Sequence, residues 1–378
     1  MKKFLTIALA ALMAVSLVAC GGTKDGGAAD GYTSGNTEYF IGGTGPLTGG
    51  ASSYGISVQQ GAKLAVEEIN ANGGLNGVNF KFDIKDDQAA ADKASTAYDQ
   101  LFEEGMQISF GSVTSGSCEA FAAKAAADNL FFMTPSASAD ICIAEPNAFR
   151  VCFGDPDQGV LAADELVANF ENIGAIYDKS DTYSSGIYEA FAARMAELGV
   201  EFKVQTFDAE NKVDFSTQIE ALKDCDVIFT PFYYTEAGLV AKAAVAKGCE
   251  AVIFGCDGLD GIAGQVDETV TNTIKYITPF DVNSTDENVA AFVSAYEAKY
   301  GVKPDQFAAD GYDVVKVIYE AMKKAGVNDV TITPDELCEI VKATITAEDF
   351  VFNGVTGSMT WAASGAATKA PIIIELGK

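Results

Sequence analysis

The chain has 378 residues, 48% of them apolar, which is enough for two substantial cores and too apolar for a disordered chain. It contains no histidine, so Ser-His-Asp and Cys-His nucleophilic catalysis, HExxH zinc hydrolysis and every other mechanism needing an imidazole are excluded. Its formal charge of −28, with no block of Lys and Arg as a local exception, repels phosphate backbones and excludes nucleic acid as a partner.

The chain opens with Met1-Lys2-Lys3 and an uncharged run from Phe4 to Ala19, interrupted only by Thr6 and Ser16. A positive start followed by an apolar run too short to favour a spanning helix reads as an export signal over residues 1–19. It ends in Leu17-Val18-Ala19-Cys20, which resembles the lipobox of bacterial lipoproteins, with Cys20 as the lipidated residue. Residues 20–36 are rich in glycine with almost nothing to bury, and read as a flexible tether between lipid and domain. The expected location is extracytoplasmic, on the outer face of the cell membrane, with everything after the tether soluble.

From Tyr39 onward, short apolar runs alternate with helix-spaced segments. Tyr39-Phe40-Ile41 leads through a Gly/Thr/Pro loop to Val58, Ala62, Ala65, Val66 and Ile69, which share one helical face until Asn72-Gly73-Gly74. Similar units follow at Ile108–Phe110 with a helix from about Ser117, at Leu130–Met133, at Ile173–Tyr177 with Ser185–Leu198, at Val227–Phe229 with Glu236–Lys247, and at Ala251–Phe254. Strands separated by helices of this length need crossovers, which gives the α/β class with parallel sheets covered on both faces. Near Pro279 the rhythm changes to two or three helical segments, and short strand-like pieces return at Ser358–Trp361 and Pro371–Glu375.

In an open parallel sheet, ligands bind beyond the carboxyl ends of the strands. The residues following the apolar runs are Gly42–Gly50 with Ser52, Ser53 and Tyr54; Gly111–Ser115; Thr134–Ser138; Asp178 with Tyr183; Pro231–Tyr234; and Gly255-Cys256-Asp257. They supply hydroxyls, one or two carboxylates and several tyrosines, without a cation or a metal-ligand cluster. Hydroxyls and amides at helix N-termini suit an anion, an aspartate suits an ammonium, and tyrosines cover an apolar group. The set describes a site for a zwitterionic small molecule. Singly, Ser115, Ser138 and Asp257 can also be read as helix caps, and Tyr54, Tyr183 and Tyr233 as core or rim residues. Gly43–Gly49 imitates a dinucleotide fingerprint, but its third glycine comes one position late, Pro46 removes an amide, and no acidic residue follows at the required distance.

Gly45-Pro46-Leu47-Thr48-Gly49, Tyr54-Gly55, Gly61-Ala62, Glu68-Ile69-Asn70, Asp86-Asp87-Gln88, Thr134-Pro135-Ser136, Gln158-Gly159, Tyr177-Asp178, Asp257-Gly258, Tyr312-Asp313 and Gly354-Val355-Thr356-Gly357 together resemble the Leu/Ile/Val-binding proteins. These are type I solute-binding proteins of branched-chain amino acid ABC transporters, and the resemblance runs from about Glu38 to Glu375. It implies two α/β lobes joined by three crossovers, with residues 37–154 and 281–345 in the first lobe and 155–280 and 346–378 in the second. It further implies that Ser115 and Ser138, with backbone groups at Val113 and Ser136, hold an α-carboxylate. Asp257 and backbone carbonyls would hold the α-ammonium, while Tyr54, Tyr183 and Tyr233 wall the side-chain pocket. Asp257 stands where the best-known members carry glutamate, so the ligand sits deeper or uses a water.

The implied function is a lipid-anchored, monomeric protein that binds an amino acid, branched-chain or similar, and delivers it to the permease subunits of an ABC importer, without cofactor, metal or catalysis. The alternative of the same fold is an extracellular amino acid or amide sensor; a sensor usually continues into a membrane span, and this sequence stops at Lys378. A Ser-x-x-Lys or paired-acid enzyme finds no support among the motifs. The seven cysteines after Cys20 are an odd number, so at least one is expected to be free or bonded to another chain. Cys225 and Cys249 precede consecutive strands and are read either as a disulfide remote from the cleft or as two small buried thiols.

Overall fold

The computed structural model describes residues 35–376; the expected export signal, most of the tether and Cys20 lie outside the described residues. The first half builds β1 (Tyr39–Gly45), α1 (Ser52–Ala71), β2 (Phe80–Asp86), α2 (Ala91–Glu103), β3 (Ile108–Gly111), α3 (Ser115–Ala127), β4 (Phe132–Thr134) and β5 (Ala148–Arg150). These strands form one parallel sheet in the order β2-β1-β3-β4-β5. Every residue of β1 and β3 is buried, as expected of strands covered on both faces by crossover helices.

After Arg150 the chain leaves this sheet and builds α4 (Asp155–Asn169), β6 (Ile173–Asp178), α5 (Thr182–Leu198), β7 (Lys203–Phe207), α6 (Ser216–Leu222), β8 (Val227–Thr230), α7 (Tyr234–Lys247), β9 (Val252–Gly255) and β10 (Ile274–Thr278). It then returns with α8 (Glu287–Tyr300), α9 (Gln306–Lys324) and α10 (Pro334–Ile345), followed by a small hairpin of β11 (Phe352–Gly354) and β12 (Gly357–Met359). The last strand, β13 (Ile372–Glu375), pairs antiparallel with β10 and completes the second sheet, β13-β10-β9-β8-β6-β7. The α/β class with parallel sheets flanked by helices is therefore the observed architecture.

The returning helices complete the first lobe. The α9 helix lies against α1 at close range because glycines stand at the crossing: a Cβ at Gly61 would overlap the carbonyl of Ala308, and one at Gly311 would sit 2.6 Å from the carbonyl oxygen of Val58. Tyr296 of α8 hydrogen-bonds Gln60 of α1, and Tyr300 donates to the Gln60 carbonyl.

One boundary differs from the sequence reading. The sequence places residues 346–378 in the second lobe, but the hairpin and the segment after it as far as Lys369 are held by the first. Asp313 of α9 accepts hydrogen bonds from Val355 N (3.0 Å), Thr356 N (2.9 Å) and Thr356 Oγ1 (2.6 Å). Trp361 donates its indole N–H to the Arg150 carbonyl, Arg150 N donates to Gly365 O, and a buried Lys369–Asp310 ion pair closes at 2.9 Å. The last crossing of the chain falls between Lys369 and Ile372. Strands of three residues give no periodicity, and these anchors are polar pairings that no hydrophobic pattern displays.

Candidate functional site

Ten residues line one enclosed space where the two lobes meet. Tyr54, Val113, Thr114, Ser115, Ser136 and Phe307 come from the first lobe; Tyr183, Tyr233, Asp257 and Gly258 come from the second. Their side chains leave only about 10 Å³ between them, room for one water at most. Tyr54 spans the closure: its hydroxyl donates to Gly258 O and accepts from Tyr234 N at 3.1 Å, both across the cleft. The aromatic wall is continuous, with Tyr54 and Phe307 at 4.2 Å between ring centroids and Tyr183 stacked on Tyr233 at 5.1 Å.

At the first-lobe end, Ser115 is the opening residue of α3, and Thr114, its N-cap, makes no side-chain capping bond. The Thr114 hydroxyl has no partner among the described residues. An uncapped helix N-terminus carries amides without intrahelical acceptors and a positive dipole end, so this edge suits a carboxylate. Ser115 Oγ is not a cap; it accepts from Ala139 N at 3.3 Å. The Ser136 hydroxyl is spent on the Val113 carbonyl at 2.7 Å, which fixes the loop after β4 beside the loop after β3. Below these loops, Asp87 accepts from Ser112 Oγ, and Asp86 pins the loop after β1 through Leu47 N and Thr48 Oγ1.

At the second-lobe end, Asp257 follows β9 and is 3% exposed. Tyr183 donates its hydroxyl to Asp257 Oδ1 at 2.7 Å, and the same oxygen of Tyr183 accepts from Gly258 N at 2.9 Å. Asp257 N donates to Gln158 Oε1, and Gln306 Nε2 donates to Asp257 O, both at 3.0 Å, so side chains from both lobes fix this turn. Burial pushes the Asp257 carboxyl up to about 6, with the Tyr183 hydroxyl offsetting part of the rise. Burial also raises the Tyr54, Tyr183 and Tyr233 hydroxyls, which stay neutral.

Seven of the eight binding residues named from the sequence line this space; Ser138 does not. It sits just behind, its hydroxyl without a hydrogen-bond partner among the described residues. Beside it stands a residue the sequence reading missed. Asp155, the first residue of α4, is 2% exposed, and neither carboxylate oxygen has a hydrogen-bond partner among the described residues. Burial raises its carboxyl well above the usual range, and the Asp257 charge raises it further, while the Arg150 charge opposes. Gln158 Nε2 is likewise unpartnered. The signal for this pair was the Asp155-Pro156-Asp157-Gln158 run after β5, but it lies at a crossover rather than directly after a strand. Phe307 was missed for the same reason, since it enters from the start of α9.

The arrangement thus sets the uncapped N-terminus of α3, an aromatic enclosure and the buried Asp257 around one space, with Asp155 beside Ser138. Residues 38–373 match the family model described as "Periplasmic binding protein". The chain belongs to this family. It is 28% identical over 341 residues to the Leu/Ile/Val-binding protein BraC3 of Rhizobium johnstonii, covering 86% of this chain and 90% of that protein. Among solved structures it resembles the leucine binding protein LivK of Thermotoga maritima, with a TM-score of 0.79, 26% identity and coverage of 88% and 94%. It also resembles LivJ of Streptococcus pneumoniae, a branched-chain amino acid transporter substrate binding protein solved with isoleucine, at 0.76, 27%, 89% and 99%. This periplasmic binding protein is therefore an extracytoplasmic substrate-binding component of an ABC importer, and its two lobes have the type I architecture.

Proposed function

We propose that this binding protein captures a free α-amino acid, branched-chain or of similar size, and hands it to the permease subunits as a monomer held to the membrane by a lipid on Cys20. The observation that carries the reading is the opposition, across one closed space, of the uncapped α3 N-terminus and the buried Asp257. Ser115 and the α3 amides hold the carboxylate, with Ser138 behind them. Asp257 takes the ammonium. Tyr54, Tyr183, Tyr233 and Phe307 surround the side chain and exclude water, which strengthens the ionic contacts. The names of BraC3, LivK and LivJ favour an aliphatic amino acid.

A thermal-shift screen against the twenty amino acids and their α-amides tests this reading. A ligand at 100 times its dissociation constant stabilises by about 2.7 kcal/mol, enough for a clear shift. An aliphatic amino acid is expected to shift the transition and its amide to fail, because the amide lacks the carboxylate. No shift with any amino acid would sink the proposal.

A further inference from the structure

Two thiols lie directly beneath the carboxylate-binding edge. Cys118 is on α3, one turn after Ser115 and on the same face; Cys142 is in the short helical turn Asp140–Ile143. Both are fully buried in one apolar cluster with Phe121, Ala122 and Ala139. The Cys142 thiol donates to the Ser115 carbonyl at 3.5 Å and is within hydrogen-bond reach of the Cys118 thiol. The neighbouring Cys118 and burial together push the Cys142 thiol up, so neither factor favours a reactive thiolate in the folded protein.

We propose that Cys118 and Cys142 form a disulfide in the mature protein. An extracytoplasmic compartment permits such bonds, and the helix packing already brings the two side chains together. A low-molecular-weight disulfide such as glutathione disulfide is the oxidant. One cysteine thiolate attacks it and expels a thiolate; the second cysteine thiolate then attacks the mixed disulfide and expels the other. Two thiols of the oxidant are released carrying the two protons, and the protein gains one S–S bond. Because both thiols are buried once the lobe is packed, the exchange occurs during folding. The bond closes a loop of about 25 residues that contains Ser136 and Ser138 and starts one turn beyond Ser115. It therefore fastens both sides of the anion-binding edge to each other. In the structure Cys118 and Cys142 are buried free thiols, as are Cys225 and Cys249, which precede the adjacent strands β8 and β9 and stand apart from this pair.

The test is a peptide map of the full chain refolded in a glutathione redox buffer, alkylated and digested without reduction. The expected result is a linked pair of peptides carrying Cys118 and Cys142 as the dominant form of both residues. A loop of this size predicts a fall in Tm of roughly 5–10 °C when the bond is reduced, and the Cys118→Ala/Cys142→Ala double variant should show the lower Tm with no further response to reductant. Alkylated thiols at both positions, or either residue paired with Cys152 or another partner, would overturn the proposal whatever the variant does.

Discussion

At Asp257 one carboxylate faces opposed demands. Burial favours its neutral acid, whereas a bound ammonium requires the carboxylate. Asp257→Ala should lower amino acid affinity by a factor on the order of 30 to several thousand, since truncating one partner of a buried charge pair costs about 2 to 5 kcal/mol. Calorimetry with less than a threefold change would remove Asp257 from the site. With its carboxyl pushed up to about 6, affinity should also weaken as the pH drops below 6, where the acid is protonated before the ligand arrives. Asp155→Asn tests the cost of an unpaired buried acid. The folded state raises this carboxyl, so at neutral pH the wild type must take up a proton or bury an unpaired charge, and Asn does neither. The variant should be more stable than wild type at pH 7, with the gain fading toward pH 4. A Tm at pH 7 no higher than that of wild type would contradict this account.

The element whose position most depends on closure is α1, which carries Tyr54 from the first lobe to the backbone of the second. Tyr54→Phe keeps the ring against Phe307 but strands Tyr234 N and the Gly258 carbonyl in the closed state. Leaving such groups unpaired costs about 1 to 3 kcal/mol each, so affinity should fall at least fivefold with little change in unfolding temperature; small-angle scattering should show a larger open fraction in the presence of ligand. For the hairpin β11–β12, the anchor is Asp313. Asp313→Ala removes the acceptor of three donors and should cost about 3 kcal/mol or more in urea unfolding, without a local effect on the cleft. These elements also show how far the sequence could be read. Wholly buried strands such as β3 advertise themselves as apolar runs, and the residues just beyond them converge because parallel strands end at one edge of a sheet. That logic reached Tyr54, Ser115 and Asp257. It had no purchase on Phe307 or Asp155, which enter from helix starts at lobe crossings, nor on Gly365 and Lys369, whose places are set by single polar pairings with Arg150 and Asp310.

For the molecule as a whole, buried acids dominate the pH response. Burial pushes Asp181 and Asp257 up to about 6 and Asp310 up to about 7, the last despite its ion pair with Lys369, and it raises Asp155, Asp260, Asp305 and Asp313 as well. Each group has a folded pKa above its unfolded value, so the folded state binds more protons through this window, and stability falls as pH rises from about 4 to 7. The carboxyls shifted the other way, such as Asp214 and Asp226, are exposed and screened. The ligand-free protein should therefore melt several degrees higher at pH 5 than at pH 8, reinforced by relief of the excess negative charge. A flat or rising profile of Tm with pH would contradict this account.

The threefold passage of the chain between its sheets has a consequence for biogenesis. The first lobe waits for α9, for the Asp313-anchored hairpin and for Gly365 and Lys369; the second lacks its edge strand until Ile372–Glu375. A ribosome delivers the amino terminus first, so each lobe has an open side until nearly the whole polypeptide exists, and pairings across such sequence separations form slowly. A protein destined for the far side of a membrane thereby stays loose and threadable while an export channel engages its leading end, and folds when the trailing end has crossed.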